Sequence, residues 1–444
     1  MAKGSSPLIR TEKHVLRADA TDRIAAALTV DAYRELTRLL AGVILVHYPD
    51  IVRAKSTCHA VETLFHVTAD NPAPRYAVLD RRFRKFPSYL RRAAINAALG
   101  AVASFTSNYA RWAGGQRKTP NAKPPRLGQW LKVNPPLYGG QCVAFSDDFR
   151  QVSVKLLYAT DQWAWSAPMA LQGRLRRLDR TGAEPLSPTL VLKGERLLLH
   201  CPVQLRRSKY LLNDVVCSVD VGINAAATLA IVDSVGTVRA RLQLKTGRHN
   251  DRRDKLMAQI RSAAAQTKNL GKGFCRARYR RIAGLNRQCA IERAKAILAF
   301  ARAHDATHVV FEHLKQWRPK AGKASMKVRF HRFLHRMLVQ KASWLAEEAQ
   351  VKVAFVAPRG TSAWAYDGSG KVRRDKKNYS LCRFANGKRY NADYNAVSNI
   401  AARYLARMLD IVPRERPAAG TGKSSGPATR MPFVLADIWA NALV

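Results

Sequence analysis

Acidic residues are scarce in this chain. Its 444 residues hold 31 Asp and Glu against 76 Lys and Arg, a formal net charge of +45. Solubility needs a net charge of only a few units, so the excess calls for a polyanionic partner, and nucleic acid is the commonest one. Paired cysteines are missing as well. The seven cysteines, at 58, 142, 201, 217, 275, 289 and 382, never fall as Cys-x-x-Cys. That excludes a disulfide framework read from spacing and fits a reducing compartment. The opening MAKGSSPLIRTEKH carries no apolar signal core, and apolar stretches such as AINAALGAVASF from Ala94 are too short for a bilayer. A cytoplasmic protein with no membrane partner is expected. What the chain does have is a folded protein's share of apolar residues, 47%.

The apolar pattern changes along the chain. HVLRADA reads as a short strand, after which Thr21 or Asp22 caps a helical run through IAAALTV and AYRELTRLLAGVILV. A second helical block opens near Pro87, with Arg91 and Arg92 between its apolar positions. Gly, Pro and Lys dominate from Gly114 to Gly140, a basic connector that includes Lys118 and Lys123. Strand-like segments follow, with Gly194 marking a hairpin. From Val215 the order is three strands (VVCSVDVGI, AAATLAIVD, VRARLQLK), a long basic helical region from Arg248 to Arg302, and the strand THVVFEHL. A helix, the strand VKVAFVA, a basic insertion and a last helix near Asp393 complete it. That is the order of an RNase H-like α/β domain.

Three acids stand out in this half. Asp220 ends the first strand, Glu312 ends the run VVF, and Asp393 opens the last helix in YNADYNAVSNIA. Singly, each has a plain reading: a turn aspartate, an exposed strand end, an N-cap. Together, on strand one, strand four and the last helix, they converge on one sheet edge in such a fold. A trio of this kind can hold two Mg²⁺ ions roughly 4 Å apart for phosphodiester chemistry.

The segments SVDVGIN, VVFEHLK, APRGTSAWAYDG and YNADYNAVSNIA resemble the RuvC-like core of TnpB proteins and compact type V CRISPR effectors. The resemblance covers about residues 213 to 405 by motif and the N-terminal half by layout alone. It implies that Asp220, Glu312 and Asp393 are the nuclease triad and the ligands of two magnesium ions. It further implies a recognition half over residues 1–212: β-barrel wedge pieces at 1–20 and 135–212, a helical insert at 21–115 and a basic linker at 116–134. The nuclease domain would span 213–410, with a zinc-ribbon-like insertion at 358–392, before a flexible tail at 411–444 whose apolar end FVLADIWANALV either docks locally or has no role.

The family's ribbon has two Cys-x-x-Cys knuckles; here Cys382 stands alone, and one thiolate cannot build a tetrahedral zinc site. Zinc is therefore not expected, and packing of Trp364, Tyr366, Tyr379 and Phe384 is expected to hold two hairpins instead. The implied activity is RNA-guided DNA cleavage. Guide RNA and double-stranded target DNA with a displaced strand would be the partners, gripped by Arg91, Arg92, Arg276, Arg278, Arg280, Arg281, Arg373 and Arg374. Localisation would be nucleoid-associated when target is bound. A guided repressor that does not cut and a guide-independent RNase H-fold nuclease are the alternatives, and transposon or CRISPR origin stays open.

Overall fold

The structure, a computed structural model, describes residues 7–116, 123–128, 132–206, 210, 212–222, 225–245, 247–267, 270–271, 273–314, 335–375, 377–378, 380–411 and 433–442. Lys118, Tyr379 and much of the linker at 116–134 and of the tail at 411–444 lie outside them. The fold is mixed α/β, and the chain divides into two compact units, Met1–Arg207 and Ser208–Val444.

In the first unit, β1 (Leu8–Arg17) leads into α1 (Ala20–Val46). Asp19, not Thr21 or Asp22, caps this helix, accepting from the Asp22 amide at 2.7 Å. That places Asp22 inside the first turn, where it is buried and accepts from the Tyr158 hydroxyl. Short helices α2 (Tyr48–Arg53), α3 (Thr57–Phe65) and α4 (Ala77–Arg82) precede α5 (Ser88–Ala113), which packs along α1. The strands β2 (Val143–Phe145), β3 (Gln151–Ala159), β4 (Gln162–Trp165), β5 (Met169–Leu171), β6 (Glu184–Pro185), β7 (Thr189–Lys193) and β8 (Arg196–Leu205) follow. β1 pairs antiparallel with β8 from Leu8↔Leu205 to Val15↔Leu198 and with β5 at its other end. The main path of this sheet is β2-β3-β5-β1-β8-β6. The segment just before β2 meets β7, which pairs with β8: the Leu137 amide donates to the Pro188 carbonyl at 2.7 Å and the Leu190 amide to the Pro135 carbonyl at 3.0 Å. The helices are inserted after the first strand.

Arg91 departs from its expected role. It lies on the stripe that α5 buries, with Ile95, Ala98 and Val102, and is only 7% exposed. Its guanidinium meets the His66 ring at 2.8 Å and Asp80 at 3.9 Å. A buried cation needs such partners, so Arg91 is part of the unit's core rather than a grip on nucleic acid. Arg92 is exposed but bound to Glu62 at 3.1 Å.

The second unit is built on a central sheet. β9 (Val216–Asp220), β10 (Ala225–Val232) and β11 (Val238–Lys245) form an antiparallel run, followed by α6 (Gly247–Ala265) and α7 (Arg276–Ala303). β12 (His308–Glu312) then pairs parallel to β9. After α8 (His335–Glu348), β13 (Lys352–Val356) pairs parallel to β12, so the order is β11-β10-β9-β12-β13. A small sheet of β14 (Arg373–Arg374), β15 (Leu381–Arg383) and β16 (Arg389–Asn391) runs into α9 (Ala392–Met408). Side chains alternate across the sheet with period two. Cys217, Val219, Val309 and Phe311 pack with α7 and α8, whereas Val216 and Val310 pack with α9. Helices therefore cover both faces, which is why β9 and β12 read as nearly unbroken apolar runs.

The apolar end of the tail docks locally. Residues 435–442 form α10, whose Leu435 and Ile438 are buried against α9.

Candidate active site

Strand parity decides which way the acids point. Asp220 shares its face with Val216, and Glu312 with Val310, so both carboxylates lie on the α9 side of the sheet. Phe311 pairs with Val219, which puts Glu312 and Asp220 side by side at the C-terminal ends of adjacent parallel strands. Asp393 enters from the first turn of α9, the helix packed over β9 and β10. All three acids are half-buried.

Asp393 is not the cap of its helix. Asn391 is, accepting from the amides of Asp393 at 2.9 Å and Tyr394 at 3.0 Å. The cap satisfies the helix end and leaves the Asp393 carboxylate available to the site. Glu312 is held by Thr361, whose hydroxyl donates to it. Thr361 is buried, and the loop carrying it is fastened by α9: Asn399 donates to the Thr361 carbonyl at 2.9 Å, and Asn395 and Asn399 each donate to the Trp364 carbonyl at 2.8 Å.

The acids feel one another. Burial, then the charges of Glu312 and Asp393, push Asp220 up to about 8, against a pull from Arg374. Burial also raises Glu312, opposed by the Thr361 hydrogen bond and by Arg403, and raises Asp393, opposed by Arg374. Arg374 is exposed on β14, so a cationic edge flanks the acids. Arg403 donates to the Ala357 carbonyl at 2.6 Å on the other flank. Among the described residues, no three His, Cys, Asp or Glu are gathered round one point as a ready metal cage. The donor set is nonetheless one of hard carboxylates crowded at half-buried positions, the chemistry that magnesium takes, with water and phosphate completing its shell. The residues fit that ion in kind.

Two comparisons cover different lengths of the chain. The Aq_aa04 family matches over residues 10–158. "TnpB-like protein aq_aa05" of Aquifex aeolicus (strain VF5) is 30% identical over 184 residues, covering 39% of this chain and 59% of that protein. Over that stretch the chain is similar to a TnpB-like protein. It spans about three fifths of that protein's length. Two solved structures are similar at low scores. One, a Cas12f1-sgRNA-target DNA complex, is 16% identical and covers 89% of this chain and 99% of that one, with a TM-score of 0.34. The other, the mini-RNA-guided endonuclease CRISPR-Cas_phi3, is 9% identical and covers 90% and 92%, with a TM-score of 0.48.

The insertion before Asp393 is held by an aromatic cluster. Tyr366 meets Phe384 at 5.7 Å, Tyr390 at 5.1 Å and Trp439 of α10 at 6.0 Å. Lys388 lies over Tyr366 and Tyr390, 5.1 and 5.4 Å from the ring centres, and donates to the Tyr366 hydroxyl. Trp364 faces Lys371 instead, a partner the sequence reading did not give it. Gly387, at φ +86, makes the tight turn between β15 and β16. Cys382 is buried and donates to the Tyr390 carbonyl at 3.3 Å, and burial raises its pKa.

Sequence reasoning missed Asn391, Asn395, Asn399, Thr361 and Arg403. Asn395 and Asn399 carried a signal: two amides four apart inside an apolar helix must find partners.

Proposed function

We propose that this chain is an RNA-guided DNA endonuclease of RNase H-like, RuvC-type architecture. The observation that carries the reading is the meeting of Asp220, Glu312 and Asp393 on one face, at one edge, of a sheet ordered β11-β10-β9-β12-β13. The relationship to a TnpB-like protein and the charge of +45 support a nucleic-acid substrate.

Asp220, Glu312 and Asp393 would hold the divalent ions. Bound there, the ions supply Lewis-acid stabilisation for the charge that builds on the phosphate oxygens. The chain's own part is placement. Thr361 fixes the Glu312 rotamer, and the Asn391 cap aims Asp393 inward while occupying the amides that would otherwise draw its carboxylate. Arg374, exposed beside the acids, would attract the scissile strand and offset its charge, with Arg373 exposed next to it on the same strand. A guide RNA, bound over the basic surface, would pair with the target and leave one DNA strand displaced for cutting.

The test is the RNA that co-purifies with the full chain. A discrete species that directs Mg²⁺-dependent cutting of matching DNA supports the reading. Cutting that is the same with and without RNA replaces it with a guide-independent nuclease.

A further inference from the structure

The first half of α7 breaks two rules of helix electrostatics. Arg276, Arg278, Arg280 and Arg281 crowd its positive N-terminal end, where cations are unfavourable. Arg276 and Arg280 are spaced at four and Arg278 and Arg281 at three, like charges on shared faces. No acid lies in sequence between Asp254 and Glu292 to offset them. The stretch also lacks a core face: residues 276–281 are all exposed, and the helix buries side chains only from Cys289 onward. α6 anchors the middle of the helix through Arg253, which donates to Asn286 at 2.8 Å, and through His249 and Glu292 at 2.7 Å. The basic end is thus held out into solvent.

A concave pocket of about 430 Å³ sits at that end, lined by Gly273, Phe274, Arg276 and Tyr279. Gly273, at φ +111, and Cys275, at φ +48, fold the chain back so that Phe274 comes beside the helix. Tyr279 is 49% exposed, a large ring left in water on a helix end that has no packing use for it. A flat apolar wall, a second aromatic and an arginine are what a nucleotide needs: a base stacks on the ring while its phosphate meets the cation.

We propose that this pocket is a stacking site for an unpaired nucleotide, with Tyr279 under the base, Phe274 as the side wall and Arg276 on the adjacent phosphate. Bases locked in a duplex present no free face, so the site selects single-stranded nucleic acid. The proposal deepens the function proposed above only in naming where a strand is held, and needs neither cleavage nor a guide.

The experiment is binding of the full chain, in EDTA so that no DNA is cut, to labelled single-stranded RNA, single-stranded DNA and the DNA duplex of the same sequence. Tyr279→Ala should weaken single-strand binding about tenfold and leave duplex binding within about twofold. Tyr279→Phe, which keeps the ring, should bind as the parent does, and Arg276→Gln should lower the salt dependence by about one ion. Which strand, RNA or DNA, loses more identifies the one that occupies the pocket. Unchanged single-strand binding by Tyr279→Ala and Phe274→Ala, or an equal loss on the duplex, would overturn the stacking site. Neither outcome depends on whether Asp220 supports cleavage.

Discussion

A carboxylate buried beside two others holds its proton more tightly in the folded chain than in the unfolded one. At Asp220 the displacement runs from 3.8 to about 8. Between those values the folded state binds more protons, so stability falls as pH rises. Metal-free protein should therefore lose melting temperature from about pH 4 to about pH 8, by about 2–4 °C for each kcal/mol lost, and Asp220→Asn should flatten that slope. Mg²⁺ should raise the melting temperature more at the alkaline end, where the ionised acids hold it. Identical slopes for wild type and variant would contradict the crowding of the site. Arg91 carries a different expectation, because it serves the core. Arg91→Ala leaves Asp80 and His66 short of a buried partner and should cost about 3 kcal/mol, seen as an earlier melt of the first unit. Its RNA affinity, measured where the variant is folded, should be unchanged. A large loss of RNA affinity without destabilisation would return Arg91 to the binding surface.

At the scale of elements, α10 is a strap over the second unit. Trp439 donates its indole N–H to the Gly236 carbonyl at 2.9 Å, and the Ala436 amide donates to the Tyr366 carbonyl at 2.9 Å. Gly236 sits at φ +83, and a Cβ there would come within 2.6 Å of the Trp439 ring. Gly236→Ala and Trp439→Ala should each destabilise by about 1–2 kcal/mol, since Trp439 keeps 37% of its surface in water. Both undo one contact, so the double variant should fall short of the sum. Full additivity in thermal melts would show that the two do not share a contact. Very little of this strap was legible beforehand: an eight-residue stretch after a Pro/Gly/Ser-rich segment has no periodicity long enough to separate from a tail.

The strands of the second unit were legible for the opposite reason. β9, β10 and β12 are apolar runs broken by turn residues, and the acids that end β9 and β12 stand out against them. Cap assignment was not, because Asn391 and Asp393, like Asp19 and Asp22, are all residues that can cap, and only the backbone decides which does. Arg91 was misjudged although its place on the stripe of Ile95, Ala98 and Val102 could have been read from helical spacing. The pattern gives the face; it does not say that a buried arginine has found an aspartate fourteen residues from a histidine partner.

Across the whole molecule, a charge of +45 implies many phosphate contacts. Affinity for RNA should fall steeply with salt, with a log–log slope of about 0.7 per contact on a single strand. A nearly flat response would mean that the basic surface is not what holds the nucleic acid.

No helix among the described residues is long and apolar enough to cross a membrane. The second unit's sheet and helices enclose a packed core. Within that core the strand ends and the start of α9 bring three distant acids to one edge. The most direct measurement of what they do is Mg²⁺-dependent cutting of target DNA by RNA-loaded wild type, Asp220→Ala and Asp393→Ala, with DNA binding followed in parallel. The expected result is cutting reduced to background in both variants while binding stays near that of wild type; full cutting by Asp220→Ala would contradict the assignment of the site.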